Sequence, residues 1–153
     1  MNLLNYIRDI PDFPKKGIVF KDITPLLLDN DAYSYLIETF YQRYKNNNID
    51  KIIGIEARGF IIGASLATKL GCGFVPVRKA GKLPYKVHKK SYSLEYSNDI
   101  MEIHTDAIKN KENVIIMDDV LATGGTIKAA IQLISFFECN LVECSFMMEL
   151  SFL

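Results

Sequence analysis

Two adjacent acids and a short glycine-rich turn are the residues of this sequence whose types and spacing best suit chemistry. Asp118 and Asp119 follow an apolar, β-branched run, and Ala122, Thr123, Gly124, Gly125 and Thr126 come soon after them. Glycines leave room for a loop backbone to wrap an anion with its N–H groups, and the start of a following helix adds partial positive charge. The turn is therefore a predicted phosphate site.

The paired acids indicate what else the ligand carries. Two carboxylates beside a phosphate repel it unless they accept hydrogen bonds from hydroxyl groups or lie near a divalent cation. A sugar phosphate meets both demands, and a magnesium ion can be carried by its phosphates. The competing P-loop pattern, Gly-x-x-x-x-Gly-Lys-[Ser/Thr], is absent from this turn. The remaining alternative is an Asp-Asp pair that only caps a helix.

Alternating strand and helix patterns flank this turn. Strands are predicted at 51–56, 73–77, 114–117 and 141–150, and helices at 60–70, closed by Gly71, and after the turn, where Ile127, Ala130, Ile131, Ile134 and Phe137 recur at helical spacing. An earlier helix begins near Asp29 to Asp31, with Tyr33, Leu36, Ile37, Phe40 and Tyr44 as its apolar stripe. This order predicts an α/β fold: a doubly wound, mainly parallel sheet with helices on both faces.

The two ends of the pattern are less regular. Residues 2–8 are predicted to form a short helix, residues 18–25 an extended piece, and residues 91–96 a strand or hairpin paired with 100–103. We find no internal repeat, and the length of 153 residues suits a single domain, 1–153.

Composition limits the classes of function. Hydrophobic residues make up 49% of the chain, and 18 basic side chains balance 18 acidic ones. This neutral balance gives no general footprint for nucleic acid or a membrane surface, so phosphate binding must be local. The three cysteines show no Cys-x-x-Cys pair, and no apolar run is long enough to span a bilayer. We expect a cytoplasmic protein with reduced thiols.

Basic residues follow two of the predicted strands. Arg58 lies in the turn after 51–56, where it could dock an anion or form a surface salt bridge. Arg78, Lys79 and Lys82 follow 73–77, where they form either a solvated loop or a site that neutralises an anion. Lys86, His88, Lys89 and Lys90 extend this basic run into a predicted mobile lid.

The apolar strand, Asp118-Asp119 and Ala122-Thr123-Gly124-Gly125-Thr126 together resemble the phosphoribosyl pyrophosphate (PRPP) signature of the type I phosphoribosyltransferases. The resemblance implies that the acids hold the ribose hydroxyls and that the turn holds the 5′-phosphate. It further implies a pyrophosphate site at Arg58, Arg78, Lys79 and Lys82, with Mg²⁺ entering on PRPP rather than in a dedicated protein site. A homodimer in which Arg78 or Lys79 reaches the partner subunit, a small hood at residues 1–28 and a flexible loop at 79–104 are also implied.

Two further stretches resemble the adenine-specific members of this family. In Gly17 to Pro25, Phe20 matches the residue that stacks on adenine, and Val19 and Lys21 match the main-chain groups that read its edge. Oxopurines, with reversed donors and acceptors, would leave these groups unpaired. Leu150 matches the residue on the other face of the base. Ser-Leu-Glu-Tyr at 93–96 matches a lid whose acid, Glu95, exchanges a proton with the purine, next to Tyr96. Without the resemblance, Phe20 is more typical of a core residue and Glu95 of a solvated surface acid.

The implied reaction is adenine plus PRPP giving AMP and pyrophosphate. Two alternatives remain: a regulatory protein that binds PRPP without catalysis, and a transferase for another base. Family members usually continue past the position of Leu153, and we expect the shorter end to loosen the last strand or the Leu150 side of the base pocket.

Overall fold

The computed structural model describes residues 1–94 and 97–151. The chain separates into two compact units, Met1–Arg43 and Tyr44–Leu153. The first unit extends beyond the hood expected at residues 1–28, because most of a long helix belongs to it. None of the helices in the described part of the chain has the length and hydrophobicity that a membrane span needs.

The first unit contains a two-stranded antiparallel sheet and two helices. Its elements are a 3-10 helix, Leu3–Tyr6, the strands β1, Arg8–Pro11, and β2, Val19–Asp22, and the helices α1, Thr24–Leu28, and α2, Asn30–Tyr44. Asp29 caps α2, because its carboxylate accepts a hydrogen bond from the Ala32 amide at 2.9 Å. The expected start of this helix is thus confirmed.

Two predictions for this unit were wrong at their edges. The predicted helix at 2–8 is a 3-10 turn that ends at Tyr6, and Arg8 begins β1 instead. Arg8 does so because its guanidinium binds Asp22 of β2 at 2.7 Å across the strand pair. The predicted extended piece at 18–25 ends early, because Thr24 and Pro25 begin α1, where the fixed φ of proline suits a first turn.

The second unit is built on a six-stranded sheet. Its elements are β3, Lys51–Ile55, α3, Arg58–Leu70, β4, Gly73–Lys79, β5, Val87–Leu94, β6, Ser97–His104, β7, Asn113–Leu121, α4, Gly125–Ile134, and β8, Asn140–Glu149. The strand order is β5-β6-β4-β3-β7-β8. β4, β3, β7 and β8 run parallel, whereas β5 and β6 form an antiparallel hairpin whose second strand pairs with β4. The expected mainly parallel sheet is confirmed.

Helices cover both faces of this sheet. Alternate strand residues such as Ile53, Val75 and Ile116 pack with α4, whereas Ile52 and Phe74 lie against Gly63 of α3. The predicted apolar face of α4 was partly wrong. Ile131 is 42% exposed, and Ala129 and Leu133 lie in the core instead.

The hairpin expected near residues 91–103 is present and longer than predicted. β5 begins at Val87, so Lys89 and Lys90 of the expected mobile lid lie on a paired strand. Met101 and Ile103 of β6 are buried in the core of the unit. The part of the 79–104 segment nearest the sheet is therefore a packed hairpin.

The carboxyl ends of the four parallel strands meet at one edge of the sheet. Ile55 of β3 pairs with Val77 of β4, and β7 continues past its pairing with β3 to Leu121, which pairs with Glu149 of β8. The segments after these strands are therefore neighbours at this edge, where open α/β sheets bind ligands.

Candidate active site

The acidic pair lies near the end of β7, where the sequence predicts it. Asp119 is 2% exposed, and Asp118 is half-buried. The Asp119 amide donates a hydrogen bond to Asp118 Oδ1 at 2.9 Å, which fixes one oxygen of the first carboxylate. A sugar that binds here can therefore reach an acid that the backbone already orients.

The environment of Asp118 changes its acidity. Burial, with a further contribution from the negative charge of Asp119, raises the pKa of Asp118 to about 7. Hydrogen-bond donors such as hydroxyl groups stabilise the ionised form of a carboxylate and lower its pKa. Near neutral pH the pair is thus suited to a ligand that brings hydroxyls or a cation.

Arg58, the first residue of α3, links the start of this helix to the acidic pair. Its Nε lies 2.8 Å from Asp119 Oδ2 and forms an ion pair with it. Among residues 1–94 and 97–151, no group donates a well-directed hydrogen bond to that buried oxygen, so charge attraction from Arg58 is its main compensation. The Arg58 side chain is 39% exposed, which leaves its guanidinium accessible to a second anion.

Gly59 brings the two segments into contact, and sequence reasoning missed it. A Cβ at this position would lie 2.7 Å from the Met117 carbonyl oxygen and 3.1 Å from Asp118 Oδ1. The start of α3 therefore packs directly against the backbone of β7, and a larger residue would separate them. The signal in the sequence was an unexplained glycine beside the predicted anion-binding Arg58.

The glycine-rich turn joins β7 to α4. Gly124 has a φ of +85°, in the left-handed region that favours glycine, and α4 begins at Gly125. Ala122 and Thr123 are exposed, and Gly124, Gly125 and Thr126 are half-buried. The turn therefore combines an accessible backbone with the positive end of a ten-residue helix, as an anion site requires.

Leu150 lies beside the start of this turn. Its amide donates a hydrogen bond to the Leu121 carbonyl at 2.9 Å, directly after the last pairing of β7 with β8. Its side chain is half-buried. The predicted base contact and the predicted phosphate turn are thus adjacent at the same edge of the sheet.

The basic residues Arg78 and Lys79, predicted to follow a strand, are instead the last residues of β4, and both have contacts within the chain. Arg78 donates hydrogen bonds from Nε and Nη2 to the two Glu56 oxygens, both at 3.2 Å, and from Nη1 to the Lys82 carbonyl at 3.3 Å. Lys79 Nζ lies 3.2 Å from Asp99 Oδ2, and its side chain is 60% exposed. Such an exposed pair is worth about 0–1 kcal/mol, so an anion can take Lys79 from Asp99 at little cost.

A buried acid fixes the loop that follows. Glu102 of β6 is 2% exposed, accepts a hydrogen bond from the Gly81 amide at 3.0 Å, and pairs with Lys89 of β5 at 3.0 Å. The bond from Lys89 outweighs burial and holds the pKa of Glu102 below its usual range. The sequence did not reveal this residue, because an acid on an alternating strand normally faces water.

The residues expected to read the base lie on β2 of the first unit. Phe20 packs edge-on against Phe13 with ring centroids 5.2 Å apart, and Val19 is exposed. Lys21 Nζ binds Asp9 Oδ1 at 2.6 Å across the strand pair. Because its side chain is engaged there, a main-chain role for Lys21 agrees with the geometry.

The structure brings most of the predicted site together. Arg58, Asp118, Asp119, the turn at 122–126, Leu150, and the segment with Arg78, Lys79 and Lys82 all lie at the carboxyl edge of the second unit. Val19, Phe20 and Lys21 belong to the first unit. Glu95 and Tyr96 lie outside the described residues, so their roles remain predictions.

This arrangement can be compared with known proteins. A phosphoribosyl transferase domain matches residues 27–149, which is most of the chain. The chain belongs to the phosphoribosyltransferase family. The match includes the turn after β3, the basic segment after β4 and the acidic strand with its glycine turn.

Individual relatives narrow the comparison. An adenine phosphoribosyltransferase of Geotalea uraniireducens is 60% identical over 151 residues, covering 99% of this chain and 88% of that protein. The structure is similar to adenine phosphoribosyltransferase from Thermoanaerobacter pseudethanolicus, with a TM-score of 0.94, 50% identity, and coverage of 99% of this chain and 88% of the other. It is also similar to the Saccharomyces cerevisiae enzyme in complex with an imino-altritol bisphosphate and adenine, with a TM-score of 0.93, 44% identity, and coverage of 98% and 88%.

The donors at this edge can be tested against a magnesium ion. Asp118 and Asp119 are oxygen donors of the kind that Mg²⁺ prefers, whereas residues 1–94 and 97–151 contain no group of three or more His, Cys, Asp or Glu side chains that could hold a metal. Magnesium commonly keeps several waters and binds one or two carboxylates together with substrate phosphates. The residues therefore fit a magnesium ion that is shared with a phosphorylated ligand.

Proposed function

We propose that this protein transfers the 5-phosphoribosyl group of PRPP to adenine and releases AMP and pyrophosphate, a purine salvage reaction. The observation that carries the proposal is the contact between the turn at Arg58 and Gly59 and the acids at the end of β7, beside the glycine-rich turn before α4. Family membership and the adenine phosphoribosyltransferase relatives support the same activity.

The sugar phosphate binds along β7 and its turn. Asp118 and Asp119 accept hydrogen bonds from the ribose hydroxyls, while the backbone and hydroxyls of residues 122–126 hold the 5′-phosphate at the start of α4. Hydroxyl donors lower the raised pKa of Asp118 and so stabilise its charged form. Binding at both ends of the sugar fixes the anomeric carbon, and such positioning lowers the barrier to displacement.

Pyrophosphate leaves toward the cationic side of the edge. Arg58 sits beside the acids, and Lys79 and Lys82 lie on the segment that begins after Arg78. These cations neutralise the charge that develops on the leaving group. Asp118 and Asp119 would share a Mg²⁺ ion bound to PRPP, and this ion would supply further positive charge for the leaving group.

As the family resemblance implies, we assign contacts with adenine to Val19, Phe20 and Lys21 of the first unit and to Leu150 of the second. The Phe20 ring provides the stacking surface, and the main-chain groups of its neighbours read the amino edge of the base. Glu95 exchanges the purine proton when the loop with Tyr96 covers the site, which keeps water from the reactive sugar. These assignments rest on the family resemblance, and the ion pair that engages the Lys21 side chain agrees with a main-chain role for that residue.

We further propose a cytoplasmic homodimer. The free thiols Cys72, Cys139 and Cys144 agree with a reducing compartment. Arg78 is held by Glu56 of its own chain, so Lys79 is the better choice of the two for a residue that reaches a partner subunit.

The sugar assignment is tested by replacing both acids, Asp118→Asn together with Asp119→Asn. The amides keep the size of the side chains but lose the charge that binds hydroxyls and magnesium. We expect turnover to fall by about two orders of magnitude or more, the usual range for removing transition-state charge stabilisation, with the fold retained by circular dichroism. PRPP affinity and turnover that stay within a few-fold of the parent would show that these acids do not hold the sugar.

A further inference from the structure

Glu56 is the first residue of the turn between β3 and α3, and the roles assigned above do not use it. It follows the end of β3, and its amide donates a hydrogen bond to the Val77 carbonyl of β4 at 2.9 Å. Its side chain is only 18% exposed. A carboxylate this well covered needs compensating bonds, and those bonds show what it holds.

The Glu56 carboxylate joins the ends of β3 and β4 by three hydrogen bonds. It accepts two from the Arg78 guanidinium, both at 3.2 Å, and one from the Lys79 amide at 3.0 Å. Burial raises the pKa of Glu56, but these bonds outweigh that effect and hold it below its usual range. The Glu56 carboxylate is therefore charged near neutral pH.

Arg78 also binds the backbone of the loop that follows β4. Its Nη1 donates a hydrogen bond to the Lys82 carbonyl at 3.3 Å, and its guanidinium carbon lies 6.0 Å from the centre of the Phe60 ring on α3. The Glu56 carboxylate, the Arg78 guanidinium and the Lys82 carbonyl thus connect the turn between β3 and α3 to the backbone of the basic loop at 79–82. The Lys79 ammonium lies 3.2 Å from the half-buried Asp99, and because the Lys79 side chain is 60% exposed, an anion can take it easily.

We infer that Glu56 is a positioning residue for pyrophosphate: through the Arg78 guanidinium and the Lys79 amide, it fixes the basic loop at 79–82 beside the turn that carries Arg58. The inference rests on the proposed function, because it assigns the anion bound there as pyrophosphate. Glu56 itself repels an anion and acts only through the cations that it orients. Loss of the Glu56 charge should therefore weaken the binding of pyrophosphate and PRPP, and it should leave the binding of a nucleotide phosphate at residues 122–126 unchanged.

The direct test is Glu56→Gln, which keeps the shape of the side chain and removes its charge. Calorimetric titration with magnesium pyrophosphate should show affinity about tenfold weaker, as expected from losing a charged hydrogen-bond pair. AMP affinity should stay within twofold, because its phosphate binds the other turn. In turnover assays KM for PRPP should rise more than kcat falls.

Glu112→Gln is the matched control. Glu112 is 17% exposed, faces Lys51 at 3.7 Å and accepts a hydrogen bond from the Lys109 amide at 2.8 Å, but it lies at the opposite edge of the sheet. Glu112 therefore resembles Glu56 in its burial and in having a cation and a backbone amide as partners, but it does not lie near the proposed pyrophosphate site. This control should bind pyrophosphate and AMP like the parent.

A second variant tests the route through Arg78. Arg78→Lys keeps the charge but loses the two-pronged bond to Glu56, so it should give the same selective loss of pyrophosphate affinity. Combining it with Glu56→Gln should add little further loss, because both changes break one connection. This variant also keeps the inference open to refutation if Glu56→Gln does not fold.

Three results would overturn the inference. Unchanged pyrophosphate affinity in Glu56→Gln or Arg78→Lys would remove the positioning role, and equal losses for pyrophosphate and AMP would indicate only general damage to the fold. A parent protein that binds neither pyrophosphate nor PRPP would instead contradict the proposed function, and the inference with it.

Discussion

Asp118 illustrates how a single residue trades stability for binding. It is held half-buried beside the nearly inaccessible Asp119, and its pKa is raised to about 7, mainly by burial. The ionised form is therefore disfavoured in the fold until hydroxyl donors or a cation arrive. Strongly shifted acids of this kind cluster at functional sites.

The stability of the fold should depend on pH through this residue. Because the pKa of Asp118 in the fold lies above its value of about 4 in an unfolded chain, stability is lost as pH rises from about 4 to about 7. Asp118→Asn mimics the neutral form, so it should raise the melting temperature by several degrees at pH 8. The gain should become smaller at pH 5, where the parent is already protonated.

Differential scanning calorimetry of both proteins at the two pH values measures this effect. Asp29→Asn, which alters a helix cap in the first unit, controls for general loss of charge. A melting temperature that falls in Asp118→Asn at pH 8, or a difference that is the same at both pH values, would contradict the raised pKa.

At the scale of elements, the contact between α3 and β7 assembles the site. Gly59 allows the start of α3 to reach the Met117 carbonyl, and this approach places Arg58 next to Asp119. Neither the strand backbone nor the helix start can yield like the end of a flexible side chain. The geometry of two distant motifs therefore depends on one missing Cβ.

Gly59→Ala should push these elements apart. Its Cβ would lie 2.7 Å from a backbone oxygen of β7. We expect a loss of stability of about 1–3 kcal/mol, as for overpacked sites. The KM for PRPP should rise at least tenfold, because Arg58 would move away from Asp118 and Asp119 and the three side chains could no longer bind one PRPP molecule together. Urea denaturation and steady-state kinetics measure the two effects.

Gly71→Ala is a control that separates the effect of backbone strain from the effect of the close contact at Gly59. Gly71 has a φ of +72° and ends α3, but a Cβ there meets nothing within 4 Å. It should cost stability through its left-handed backbone while leaving the KM for PRPP unchanged. If Gly59→Ala behaves like this control, the close contact does not organise the site.

Local patterns predicted many of the elements but not every face or boundary. The apolar run before Asp118, the strand at Lys51–Ile55 and the glycine that ends α3 were all correct, because each depends on neighbours in sequence. The orientation of α4 and the strand at Arg8 were missed, because Leu133 and Asp22 act through tertiary packing and pairing. No local pattern determines such partners.

The site divides in the same way. The residues that we propose to contact a ligand stand in motifs, so Asp118, Arg58 and the turn at 122–126 could be named from the sequence. Glu56, Gly59 and Glu102 support that site through residues 21 or more positions away, and their burial arises only when β3, β4, β6 and β7 meet. In the sequence alone, an acid beside a strand end is indistinguishable from solvated surface.

At the scale of the whole molecule, a neutral chain concentrates its charge chemistry at one sheet edge. Three of its cations there are each matched by an acid: Arg58 by Asp119, Arg78 by Glu56, and Lys79 by Asp99. Each of these three cations is therefore compensated by an acid of the same chain. This local matching of charges agrees with the balance of basic and acidic residues in the whole chain.

The central claim is that the site at the carboxyl edge of the sheet converts adenine and PRPP to AMP and pyrophosphate. The most direct measurement is release of pyrophosphate by the purified parent protein with magnesium and PRPP, supplied in turn with adenine, hypoxanthine or guanine. We predict turnover with adenine and a kcat/KM at least a hundredfold lower for either oxopurine, whose reversed donors and acceptors would leave the proposed main-chain partners at Val19 and Lys21 unpaired. Absence of adenine-dependent release, or comparable use of hypoxanthine or guanine, would contradict the account.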